Sequence, residues 1–215
     1  MMPASISKNS LLLFVFALIT AVTLGFISEE TKDKIAKSER NAAKKALLEI
    51  IPPERFDNDP LLDTIEVPLS AHELLGNIGS NPIHIARKDN HIIAVIIPTV
   101  APDGYTGDIK MIVGINTDGT IAGVRVLAHK ETPGLGDKVD IKKSQWITHF
   151  TGRSLNNPTP DGWTVKKNGG EFDQFTGATI TPRAVVKRLL NVLKFVDENQ
   201  TLLFPKNKSP QNEKP

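Results

Sequence analysis

No charged side chain interrupts residues 9 to 28, NSLLLFVFALITAVTLGFIS, and that run dictates the surroundings the first part of the chain needs. A helix rising 1.5 Å per residue covers roughly 30 Å in about 20 residues, which is the thickness of a bilayer's hydrocarbon layer. The run therefore reads as one membrane-spanning helix over residues 10–28, in which the hydroxyls of Thr20 and Thr23 bond back to the helix. A cleaved secretory signal is the competing reading. Against it, the apolar segment is longer than a typical signal core and no A-x-A-like site comes after it. Lys8 precedes the run, whereas Lys32, Lys34, Lys37 and Arg40 come after it, so a charge count keeps the large C-terminal domain inside. Long domains translocate largely regardless of such counts, and the count leaves the orientation open.

Residues 29–52 mix Glu, Lys and Ala with apolar Ile35, Ala42, Ala43, Leu47 and Ile50 until Pro52 and Pro53 break the pattern. This is expected to be a helical stalk leaving the membrane, solvated along its length. The remainder, 53–205, has the composition of a globular domain, because 40% of the chain is hydrophobic and 23% charged, enough to bury a core. HIIAVIIPTV, GDIKMIVGIN and TIAGVRVLAHK are β-branched stretches parted by the turn signals PDG and NTDG, which predicts an antiparallel meander. DIKKSQWITHF is expected to form a short helix with Ile147 and Phe150 inward, and WTVKKN a further strand. In RAVVKRLLNVLKFVDENQ, Val185, Val186, Leu189, Leu190, Leu193 and Val196 recur at helical spacing, so an amphipathic helix packs on the sheet. The fold class is α+β, an antiparallel or mixed sheet with packed helices after a single N-terminal transmembrane helix. The polar segment 206–215 is expected to be a disordered tail.

Composition also limits the chemistry. The 26 basic and 24 acidic residues are interleaved without a basic block, which argues against nucleic acid. With no cysteine, the chain holds no disulfide, iron–sulfur cluster or thiolate zinc site, and its five histidines lack ligand-like spacing, so no metal site is expected. Any redox chemistry must be carried by an added cofactor.

Two stretches carry candidate chemistry. In DQFTGATITP, Thr181 stands where a helix N-cap belongs and Pro182 where the first helical residue belongs, placing Thr179 just before a helix amino end. Such an end attracts phosphate, and Gly177 and Ala178 let a bulky ligand approach the backbone. A plain capped turn explains the same composition. Arg183 and Lys187 are either phosphate-facing or simply solvated. In HKETPGLGDK, Pro133, Gly134 and Gly136 make a tight loop whose amides can approach a flat ring, Leu135 can cover a ring face, and Glu131 and Thr132 can supply polar contacts. His129 serves either a structural hydrogen bond or proton transfer.

The order Asp173, two spacers, Thr176, Gly177, Ala178, Thr179 resembles in full the acceptor pattern of flavin transferases, found in the FMN-binding domains of bacterial respiratory complexes. The His-x-Glu-Thr-Pro-Gly-Leu-Gly segment and GYTGDIKMIVGIN, residues 104–116, are similar to segments of the same family, in the same order. The resemblance implies covalent FMN, joined by a phosphoester to Thr179 through a flavin transferase, with Asp173, Thr176, Gly177 and Ala178 completing the acceptor motif. It extends over most of the chain. Its layout is most like the G subunits of the Rnf-type (Rsx) ion-translocating electron transport complexes, with the longer C subunits of the sodium-translocating NADH:quinone reductases as the alternative. Membership implies an electron relay, a non-autonomous redox subunit of a translocase, partnered by other membrane and redox subunits. It further implies a bacterial inner-membrane location with 1–9 cytoplasmic and 53–205 periplasmic. A membrane-anchored binding module without flavin and a stand-alone secreted flavoenzyme are the readings from other classes.

Overall fold

The computed structural model describes residues 4–205. The segment 206–215, expected to be a disordered tail, lies outside them. The chain divides into two units, one ending at Ala42 and one beginning at Ala43.

The first unit is helical, part of α1 (Ala4–Ile50), and its stretch Lys8–Ile35 is long and apolar enough to cross a membrane. Leu11, Phe14, Phe16, Ile19, Leu24 and Phe26 are exposed along it. The hydroxyls of Thr20 and Thr23 donate to the carbonyls of Phe16 and Ile19, both at 2.8 Å, so neither leaves an unpaired donor on an apolar surface.

In the second unit, five strands run in sequence order as an antiparallel meander: β1 (Thr64–Ile65), β2 (Ile83–Lys88), β3 (His91–Ala101), β4 (Ile109–Asn116) and β5 (Ile121–Ala128). The three strands expected from β-branched patterning are the long ones. Pro98 is tolerated because β2 pairs with β3 only as far as Ile96, which leaves that side of β3 an edge, where a missing N–H costs no ladder bond. Alternation along β3 and β4 sends Val95, Ile97, Met111, Val113 and Ile115 to one face and Ala94, Ile96 and Ile112 to the other.

Both faces are covered. The larger core lies under α3 (Ile180–Glu198), which buries Val185, Val186, Leu189, Val192, Leu193, Phe195 and Val196. Arg188 ties this helix to the short α2 (His72–Leu75) by donating to the carbonyls of Leu74 and Glu73. On the opposite face sit Ala46, Leu47, Ile50 and Ile51, so the last turns of the expected stalk are not solvated. Apolar residues at helical spacing there serve a sheet face that would otherwise be bare. Gly114 and Gly123, directly paired across β4 and β5, open a socket for Ile50. A Cβ on Gly114 would lie 2.3 Å from Ile50 Cγ2, whereas one on Gly123 would lie at an ordinary 3.5 Å. Gly114→Ala is expected to cost about 1–3 kcal/mol through overpacking, with a much smaller effect for Gly123→Ala. Thermal melts of the two variants check the ordering.

Between β5 and α3 the chain is irregular. The expected strand over WTVKKN is absent: Val165 and Phe172 form an isolated bridge around a 3-10 turn, Lys166–Asn168. Gly169, at φ +88°, and Gly170, where a Cβ would lie 2.0 Å from the Thr164 carbonyl oxygen, fold the segment back on itself too tightly for a strand to continue. The expected helix near Trp146 is a 3-10 helix, Gln145–Phe150, capped by Ser144 Oγ, which accepts from Trp146 N at 3.1 Å. Its Trp146 and Phe150 start an aromatic cluster. Phe150 lies 4.6 Å from the Phe172 ring and 5.0 Å from Trp146, and Trp146 lies 5.0 Å from Phe175.

Candidate functional site

The aromatic cluster delivers the Thr-Gly-Ala-Thr segment to the surface. Phe172 and Phe175 are buried, and Trp146 Nε1 donates to the Asp173 carbonyl at 2.8 Å, so residues 172–175 are held from beneath. The Asp173 carboxylate points away to Lys166 Nζ at 2.7 Å. Phe175 to Ala178 then make a tight turn, closed by Ala178 N donating to the Phe175 carbonyl at 3.1 Å. Gly177 occupies its third position at φ +81°, the conformation a type II turn demands and a side chain resists.

Immediately after this turn α3 begins, at Ile180 rather than beyond Thr181. Thr179 is the N-cap residue, and Thr181 sits inside the first turn, so Thr181 does not cap the helix as the sequence suggested. Its hydroxyl instead donates to Glu131 Oε2, because a buried carboxylate needs donors more than a helix end open to solvent does. The Thr179 side chain makes no capping bond, and its hydroxyl has no hydrogen-bond partner among the described residues. The N–H groups of Ile180 and Thr181 precede the first intrahelical acceptor, and Pro182 has none to offer. This is a helix amino end with free donors, suited to an anionic group.

A cleft of about 360 Å³ opens beside it, lined by Tyr105, Glu131, Thr132, Leu135, Gly136 and the run Gly177 to Thr181. That volume falls in the range of small-molecule and cofactor sites. Of the residues singled out from sequence, Glu131, Thr132, Leu135, Gly177, Ala178 and Thr179 meet in the cleft, while Asp173, Thr176 and Gly134 are not part of its wall. Thr176 and Gly134 stand exposed on the flanking loops. Tyr105 and Ile180 belong to the wall but carried no sequence signal of their own, although Tyr105 lies in GYTG, part of a stretch already matched to the family.

The loop after β5 differs from its expected role in one respect. The amides of Leu135, Gly136 and Asp137 all turn inward to the Thr132 carbonyl, at 3.1, 3.1 and 3.4 Å, so they are not free for a ring. What this loop presents to the cleft is Leu135, 41% exposed, whose Cδ2 would stand 3.3 Å from a Cβ on Gly177. His129 takes the structural option, with its Nδ1 accepting from Glu131 N at 3.1 Å. Arg183 and Lys187 are exposed and engaged with Asn168 and Asp103 at 3.2 and 2.8 Å.

Glu131 is the one charged group buried in the wall. Its Oε1 accepts from Thr106 N and Thr106 Oγ1, each at 3.0 Å, and its Oε2 from Thr181. Burial pushes its carboxyl up, but donors from Thr106, Thr181 and the Tyr105 backbone more than reverse this and hold it below the ordinary carboxylate value. A folded value below the unfolded one means stability that is present above about pH 4.5 and lost as pH falls through the lowered value. Acid titration of unfolding is therefore expected to lose part of its slope below pH 4.5 in a Glu131→Gln variant.

A small-residue turn, a free hydroxyl at a helix amino end and an apolar-flanked cleft fit a phosphate-bearing aromatic cofactor, and residues 104–194 match the family model of the FMN-binding domain. Residues 1–50 match that of the RnfG N-terminal region. Curated relatives, each named as the G subunit of an ion-translocating oxidoreductase complex, are 46% identical in Pseudomonas aeruginosa, over 93% of this chain and 92% of theirs. In Shewanella amazonensis the identity is 44%, over 94% of each chain, and in Vibrio vulnificus 45%, over 91% and 92%. The chain belongs to this family of G subunits. With one exposed apolar helix of spanning length among the described residues, the match supports a membrane-anchored protein.

Proposed function

We propose that this chain is a membrane-anchored electron-relay subunit that carries FMN covalently on Thr179, within a complex coupling electron transfer to ion translocation. The observation that carries this reading is the Thr179 hydroxyl, without a partner among the described residues, at the amino end of α3 and on the wall of the cleft. Attachment forms an ester between Thr179 Oγ1 and the flavin-side phosphorus of FAD. The bond from that phosphorus to the AMP phosphate breaks, AMP leaves with the electron pair, and the hydroxyl proton is released. Neither thiol nor imidazole is required of the chain. A flavin transferase supplies the catalysis and reads Asp173, Thr176, Gly177 and Ala178, of which Asp173, Thr176 and Gly177 are exposed.

When bound, the flavin supplies the redox chemistry. The chain supplies its place. Free N–H groups at the start of α3 would meet the phosphoester, Leu135 would flank the ring with Thr132 beside it, and the tether would keep the cofactor from being lost where no free flavin pool replaces it. That need is greatest outside the cytoplasm, and we place 53–205 on the periplasmic side of a bacterial inner membrane, with residues 10–28 as the span and 1–9 inside. Partners are the other membrane and redox subunits of an Rnf-type complex. Intact-mass measurement of the chain purified from its native host tests the reading: the expected mass is the polypeptide plus FMN less one water, with a fluorescent band on a denaturing gel. An unmodified mass would overturn it.

A further inference from the structure

The ladder of α3 holds Thr179 weakly. Its carbonyl accepts from Arg183 N at a long 3.4 Å, its side chain caps nothing, and Pro182 can donate nothing. Something else must keep the acceptor hydroxyl in one place, and two residues along the chain Thr181 is bonded to Glu131. Both oxygens of that carboxylate are taken by this chain's own donors, from Thr106 on the loop before β4 and Thr181 on α3. The carboxylate is also closely wrapped. A Cβ on Gly104 would lie 2.9 Å from Oε1, and one on Gly136 2.8 Å from Oε2 and 2.8 Å from Thr181 Oγ1. Two loops and a helix thus converge on one buried anion, and bonds to an ionised acceptor are roughly twice as strong as neutral ones.

We propose that Glu131 is a positioning residue for the flavin-acceptor hydroxyl, pinning the first turn of α3 through Thr181 and the loop bearing Tyr105 through Thr106. The inference rests on Thr179 being the acceptor. It changes the part suggested for Glu131 by the sequence, from a polar contact with the cofactor to a fixed point within the cleft wall. Tyr105 and Thr179 lie on opposite ends of this linkage, so the width of the cleft mouth and the aim of the hydroxyl are set together.

The experiment is the steady-state rate of FMN attachment to the purified full-length chain in detergent, with purified flavin transferase and FAD, followed by intact mass while chain concentration is varied. A displacement of about 1 Å costs roughly 10²-fold in a transfer step, so Glu131→Gln and Thr181→Val are each expected to lower kcat by about ten- to a hundredfold at unchanged KM. Thr181→Ser, which keeps the hydroxyl, is expected to recover the wild-type rate. Melting curves for all three variants accompany the rates, and Thr181→Val carries the test if Glu131→Gln does not fold. A wild-type kcat in Thr181→Val, or a higher KM at unchanged kcat, overturns the positioning role. A wild-type chain that gains no mass at all overturns the acceptor reading itself, a distinct result.

Discussion

Thr179→Val is expected to abolish the flavin adduct completely while leaving the domain folded. The chain mass should fall to that of the polypeptide and the fluorescent gel band should vanish in cells containing the transferase. Valine keeps the branched shape and removes only the hydroxyl that would be esterified. The fold tolerates this because the Thr179 side chain makes no capping bond and is only half-buried, so the change should stay within about 0.5 kcal/mol. Loss of adduct and loss of fold are thereby separated: circular dichroism and melting should match wild type. A Thr179→Val chain that still carries flavin would move the attachment elsewhere. Thr176, the neighbouring hydroxyl of the motif, stands exposed in the preceding turn and outside the cleft wall.

Phe150→Ala should be the most destabilising single change in the aromatic cluster, at about 3–5 kcal/mol, because it empties a fully buried ring site that cannot readily collapse. Phe150 meets Trp146 edge-on at 5.0 Å, stacks with Trp163 at 6.2 Å and packs on Phe172 at 4.6 Å. These rings lie beneath residues 172–175, and Trp146 also holds the Asp173 carbonyl. The variant should therefore lose flavin attachment as well as stability. Denaturant midpoints give the first quantity, and adduct yield at a temperature where the variant remains folded gives the second.

The long strands and α3 were legible because their side chains obey one period over many residues. β-branched runs between NTDG and PDG turns leave few alternatives, and Val185, Val186, Leu189, Leu193 and Val196 define a helix face without reference to anything else. β1 and β2 carry no such signal. The first has two residues, and the second, IHIARK, carries a histidine and two cations in six. The strand expected at WTVKKN failed because Gly169 and Gly170 reverse the chain there. The mix of Glu, Lys and Ala around Leu47 and Ile50 suggests a solvated stalk; only the sheet explains the apolar pair.

At the site, the Asp-x-x-Thr-Gly-Ala-Thr motif was recognisable as an ordered string, since its residues are neighbours along the chain. The partnerships around it were not. Thr181 obeys the local rule for an N-cap and loses to a contact fifty residues away, and Glu131 reads as a polar contact for a ligand until Thr106 and Thr181 take both its oxygens.

By itself the sequence determined the apolar span, the meander, the amphipathic final helix and the Thr-Gly-Ala-Thr turn, because each depends on the spacing of residues close along the chain. Only the tertiary structure decided that Gly114 and Gly123 seat Ile50, that the loop amides turn inward to Thr132, and that Glu131 joins two loops to α3. Those outcomes arise from competition for buried donors, acceptors and volume among segments far apart in sequence, and local spacing carries no record of that competition.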